Sequence, residues 1–125
     1  MPEQSHEIEQ VVREWLDAKQ VADRAGIGAR LSDYGGALAI GTDASEWWAG
    51  AGEFVEAHVA GRAFAADVEH VEAHRHGPVA WAAVRAVIET GEAGGLPVRL
   101  TLVLVSQGDA DWRIVQSHVS VPDSQ

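Results

Sequence analysis

RLTLVLVSQGDADWRIVQSHVSV, residues 99–121, holds two apolar runs separated by Gly108-Asp109-Ala110-Asp111. Apolar and polar side chains alternate along the second run, and a Gly/Asp cluster between two such runs is a hairpin signal, so the segment reads as two antiparallel strands. Moving toward the N-terminus, the period-two pattern continues back to Phe64, broken at Gly77-Pro78 and again over residues 91–97. The span from Phe64 to Val121 is therefore a sheet of three or four long strands.

Before Phe64 the period is helical. Ser5 is a suitable N-cap, Glu7 and Glu9 lie in the positive first turn, and Ile8, Val11, Val12, Trp15, Leu16, Val21 and Ala22 form one apolar stripe. Lys19 and Arg24 near the negative end and Gly26 as left-handed cap predict a first helix that closes at Gly26. A short second helix is expected over residues 28–33 with Leu31 inward, then a short buried strand over 37–41. A helical turn capped by Asp43 or Ser45 and carrying Glu46, Trp47 and Trp48 should follow, and a third helix marked by Phe54, Val55, His58 and Val59 should end near Gly61. Helices first and antiparallel strands after them give an α+β class, helices covering one face of a curved sheet in a single domain over residues 1–125.

Composition limits the function. A chain of 125 residues buries a core without staples, and 46% apolar with 22% charged residues is ordinary globular usage. Nine Lys plus Arg against nineteen Asp plus Glu leave a charge of -10, which repels phosphate, so neither nucleic acid nor an anionic membrane is an expected partner. With no cysteine there is no disulfide, no thiolate nucleophile and no Cys-based zinc site. The sequence starts without a basic segment leading into an apolar one and has no run of eighteen apolar residues, and a cytoplasmic location is expected.

Two segments carry a resemblance. LAIGTDASEWWAG, residues 38–50, resembles the strand, turn and Glu-Trp start of the third helix in SnoaL-like members of the NTF2-like superfamily, and residues 99–121 are similar to that family's penultimate strand, Asp/Gly turn, Trp and terminal His-x-Ser. The resemblance spans nearly the whole chain and implies a cone of curved sheet closed by N-terminal helices. That superfamily includes isomerases, cyclases, dehydratases, association domains and pocket proteins, so the fold leaves the chemistry open.

Strict alternation puts Trp112, Ile114, Gln116, His118 and Ser120 on one face, Arg99, Thr101, Val103 and Val105 on one face of the preceding strand, and Trp81, Ala83, Arg85 and Val87 together before that. Assigning these mixed faces to the cone interior, as the resemblance also implies, makes Arg99, Thr101, His118 and Ser120 neighbours able to hold a carboxylate, phosphate or enolate oxygen. An anionic or carbonyl-bearing organic ligand is expected, walled by Trp48 and Trp81, with Tyr34 at the mouth and no cofactor. A purely structural account serves as well: Arg99 pairs with Glu89, His118 and Ser120 satisfy backbone groups, and the tryptophans, Trp15 above all, fill the core.

His70, Glu72, His74 and His76 alternate along one strand, yet ligands on one straight strand spread too far to close a tetrahedron, so no metal is expected there. An isomerase or cyclase needs a base and an oxyanion donor. The runs 79–90, 98–107 and 112–121 contain no Asp, leaving His118 as the candidate acid or base, with Ser120 or Arg99 steadying the oxyanion. Three functions stay open: a binding pocket without catalysis, an enzyme using His118, and an assembly domain. The opposite face, with Leu100, Leu102, Leu104, Val115, Val119 and Val121, is too apolar to meet water, which predicts a homodimer.

Overall fold

The structure is a computed structural model and describes residues 1–122. Its elements are β1 (Glu3–Gln4), α1 (His6–Gln20), α2 (Arg24–Ala29), β2 (Leu38–Ile40), β3 (Trp47–Ala49), α3 (Ala51–Val59), β4 (Ala66–His76), β5 (Val79–Ile88), β6 (Leu96–Ser106) and β7 (Trp112–Ser120). All seven strands join one sheet in the order β1-β4-β5-β6-β7-β2-β3, antiparallel throughout except where β2 runs parallel to β7. The helices lie on one face of this curved sheet, α1 over β4 and β5 and α3 against β2 and β3, as an α+β layer requires.

Helix α1 starts where the capping chemistry places it. Ser5 Oγ accepts the Ile8 N–H at 3.1 Å, Ser5 N–H donates to the Ala73 carbonyl at 3.0 Å, and Ile8, Val11, Val12 and Trp15 are buried. The helix ends earlier than its apolar stripe suggests. Asp23 N–H bonds the Ala18 carbonyl at 2.9 Å and Ala22 N–H the Lys19 carbonyl at 3.2 Å, the paired closure of a Schellman turn, with Ala22 in the left-handed position at φ 54°. Gly26, expected as that cap, instead lies inside α2. Asp23 is the N-cap there and accepts Gly26 N–H at 3.1 Å, and a Cβ on Gly26 would stand 2.5 Å from the capping carboxylate. Gly26→Ala is therefore expected to cost about 1–2 kcal/mol through loss of the cap, measurable as a lower urea midpoint with unchanged slope.

The turn after β2 also departs from expectation. Asp43 Oδ1 accepts from Ser45 N–H at 2.9 Å and Ser45 Oγ–H at 2.8 Å, while Asp43 N–H donates to Glu46 Oε1 at 2.8 Å. The side chains expected to open a helix thus close a hairpin, and Trp47, Trp48 and Ala49 pair with Ile40, Ala39 and Leu38. Gly50 at φ 87° then turns the chain into α3.

Two β-bulges decide which side chains face inward. In β4 the pairing with β5 shifts between Val68 and His70, leaving Glu69 as the extra residue, so Ala66 and Val68 before it and Val71 and Ala73 after it share the concave face. In β7 Ile114 pairs with Leu104 and Gln116 with Val103, leaving Val115 extra. The inward set is thus Trp112, Ile114, Ser117 and Val119, and His118 and Ser120 turn to the convex side.

This corrects the interior assignment. Leu100, Leu102 and Leu104, expected to form an exposed assembly face, are buried under the helices with Trp15, Phe54, Trp112 and Ile114, each large side chain stabilising by about 1.5–3 kcal/mol. Arg99, Thr101 and His118 are exposed on the convex face, where Arg99 pairs across to Ser120 and Thr101 to His118, so the four are neighbours, as expected, but outside the cone. Trp81 is 39% exposed on the same side and stacks with His74 at 6.2 Å, and Tyr34 is 65% exposed in the loop after α2. A polar group belongs on the concave side only if something in the fold compensates its burial.

Candidate functional site

Between α1, α3 and the concave sheet lies an apolar cavity of about 170 Å³ walled by Trp15, Leu16, Phe64, Val84, Val98 and Leu100, among others. A second lobe of about 320 Å³, reaching Ala39, Glu46 and Trp48, shares Lys19, His58, Ile88, Val98 and Val119 with it. Of the ligand contacts expected from sequence, Trp48 is the one at this cavity. The others are on the convex face or, for Tyr34, in an exposed loop.

Three polar side chains at the cavity form one chain. Lys19 Nζ lies 3.0 Å from His58 Nδ1, and His58 Nε2 lies 2.9 Å from Ser117 Oγ. An ammonium only donates, so Nδ1 accepts, and the ring proton sits on Nε2 and is donated to the serine oxygen. His58 is 7% exposed and Ser117 2%. The Trp15 and Phe54 rings meet the imidazole edge-on, each with centroids 5.1 Å apart, and Lys19 Nζ lies 5.0 Å from the Trp15 ring centroid.

Burial among these rings lowers the Lys19 amine from 10.5 to about 8. Burial, helped by the Lys19 charge, lowers His58 from 6.5 to about 3, so the imidazole is neutral at any physiological pH. Among the described residues no carboxylate forms an ion pair with Lys19. Lys19 is also the one lysine of the chain, the other eight of its nine basic residues being arginines.

The sequence holds a signal for this site. Lys19 follows Trp15 by four residues and His58 follows Phe54 by four, which puts each one turn along from a core aromatic on the inward stripe of its helix. Ser117 has no such signal, because only the bulge at Val115 turns it inward.

The arrangement offers a carboxylate or carbonyl oxygen an amine and a serine hydroxyl held by one imidazole, beside largely apolar walls. Among the described residues no three His, Cys, Asp or Glu side chains converge to hold a metal ion, and no helix is long and apolar enough to cross a membrane.

No curated protein matches the chain. Solved structures do. A cystatin-like fold protein from Burkholderia xenovorans superposes with a TM-score of 0.81 at 16% identity, covering 100% of both chains. An NTF2-like protein of unknown function from Pseudomonas putida gives 0.78 at 21% identity, over 95% of this chain and 87% of the other. A ketosteroid isomerase-like protein from Erwinia carotovora gives 0.69 at 16% identity, over 94% and 95%. Identities this low establish the fold alone, helices on a curved sheet in the NTF2-like manner. The sequence profile of the SnoaL-like domain matches residues 8–124, and the chain belongs to that family.

Proposed function

We propose that the chain binds a small, largely apolar organic molecule carrying one anionic or carbonyl oxygen, with the oxygen at Lys19 and Ser117 and the apolar body in the cavity. The observation that carries this reading is Lys19: a largely buried amine with no carboxylate partner among the described residues, held by His58 at a mostly apolar cavity. A cavity of this volume takes a ring or a chain of about six carbons. An acid or base at His118 finds no support in the geometry, since that side chain is exposed on the far face of the sheet.

A homodimer belongs to the same proposal but through the convex face, where Trp81 is 39% and Val79 40% exposed. Native mass spectrometry reads both parts. The expected result is a mass of twice the 13.3 kDa chain, with a small molecule that is retained in His118→Ala and lost in Lys19→Met. Retention in Lys19→Met, or failure of every apolar acid and carbonyl compound tested to bind, overturns the pocket assignment.

A further inference from the structure

We propose that Lys19 is a carbonyl-capturing amine, which takes an apolar aldehyde or ketone as a covalent imine in this cavity. The inference rests on the binding reading above and adds to it the ligand class and a bond.

Imine formation needs an amine that is unprotonated part of the time, has its lone pair free and is screened from bulk water. Burial in the apolar cavity supplies the first, since an amine at about 8 is roughly one-quarter neutral at pH 7.5. The hydrogen bond supplies the second: Lys19 donates one N–H to His58 Nδ1 at 3.0 Å, and the neutral amine keeps its lone pair for the ligand. The walls of Trp15, Phe64, Val84 and Leu100 screen the amine on its cavity side, toward the third. Ser117 Oγ accepts the His58 Nε2 proton at 2.9 Å, so its own hydroxyl hydrogen is left to donate to a carbonyl oxygen.

Charge favours a neutral ligand over a carboxylate. The chain carries -10, which slows approach of an anion and leaves an aldehyde unaffected. A resident carboxylate would also stabilise the ammonium and hold the amine in its unreactive form.

The step balances without any co-reactant. The amine, its ammonium proton released to solvent, attacks the carbonyl carbon, forming the C–N bond as the C=O π pair moves to oxygen. The proton shed by the nitrogen passes to that oxygen to give the carbinolamine. Protonation of the hydroxyl and its departure as water leave the iminium, so aldehyde and ammonium yield iminium and water.

Because the chain has one lysine, trapping is unambiguous. The folded protein is treated with hexanal and sodium cyanoborohydride at pH 7.5, and the reduced adduct is located by peptide mass spectrometry, with the exposed amino terminus as reference amine. Lys19 is expected to be labelled about tenfold faster than the amino terminus, a preference that disappears in urea. Lys19→Arg keeps the charge and lacks the nucleophile, so it should still bind hexanoate, followed by NMR shifts of the cavity residues, while trapping no hexanal inside the fold. A Lys19-to-terminus labelling ratio of one or less overturns the imine. If hexanoate still binds in that case, the pocket reading stands alone; if neither compound engages the cavity, both readings fall.

Discussion

His58→Gln is expected to unfold less readily than the wild-type protein at pH 4 and more readily at pH 7, so that the two stability curves cross. The imidazole is lowered to about 3 in the folded chain and returns to about 6.5 when unfolded. Between these values the unfolded state binds the proton that the folded state refuses, so stability falls as the pH drops from 6.5 toward 3. At pH 4 this costs about 3 kcal/mol. A glutamine reproduces the bridge without titrating, its amide oxygen accepting from Lys19 and its amide N–H donating to Ser117. It forfeits the edge-on contacts with Trp15 and Phe54, each at 5.1 Å, which costs about 1 kcal/mol at neutral pH. Urea unfolding at a series of pH values reads the difference directly, since the many carboxylates titrate alike in both proteins. Curves that stay parallel from pH 7 to pH 4 would falsify the neutral, buried histidine.

That histidine marks the limit of what the residues alone disclose. The class, the helix-then-strand order and the breaks between the long strands were legible, because alternation and Gly/Pro turns act locally. The facing of β7 was not. Alternation counted from Trp112 reaches His118 and Ser120, and a single extra residue at Val115 reverses the count midway, setting Ser117 and Val119 inward. A bulge of this kind is a property of the pairing between strands and leaves no mark in the strand's own sequence. The same error exchanged the two faces of the sheet, so the leucines of β6 passed for an assembly surface and Arg99 and Thr101 for a pocket. Asp43 shows a different limit: its carboxylate caps local N–H groups equally well in a helix start or a hairpin turn, and the pairing of Trp47–Ala49 with β2 decides between them. Lys19 was missed as a site residue: it follows Trp15 by one turn on the inward side of α1, but a lysine near a helix C-terminus reads first as a partner of the macrodipole.

Lys19→Met is expected to stabilise the protein at neutral pH and to flatten its alkaline profile. Burial lowers the amine from 10.5 to about 8, so between those values the unfolded chain holds a proton that the folded chain has lost, and wild-type stability rises as the pH climbs through that window. Below pH 8 both states are charged and the folded one carries the full desolvation cost of about 3 kcal/mol. Methionine removes it and keeps most of the stem's apolar contact. The contact of the ammonium with Trp15 and the donor to His58 Nδ1 are lost, which offsets about half, so a net gain of about 1–2 kcal/mol and a rise of several degrees in Tm are expected. The Lys19 charge also contributes to the depression of His58, so in the same variant the folded imidazole takes up its proton more readily and the stability lost on acidification below pH 6.5 should shrink, a coupling that independent sites would not show. An unchanged acid limb together with a lower Tm would mean that Lys19 supports the fold. A more stable protein that no longer binds its ligand would mean that the cavity keeps a buried amine at the expense of stability, the exchange expected of a functional group.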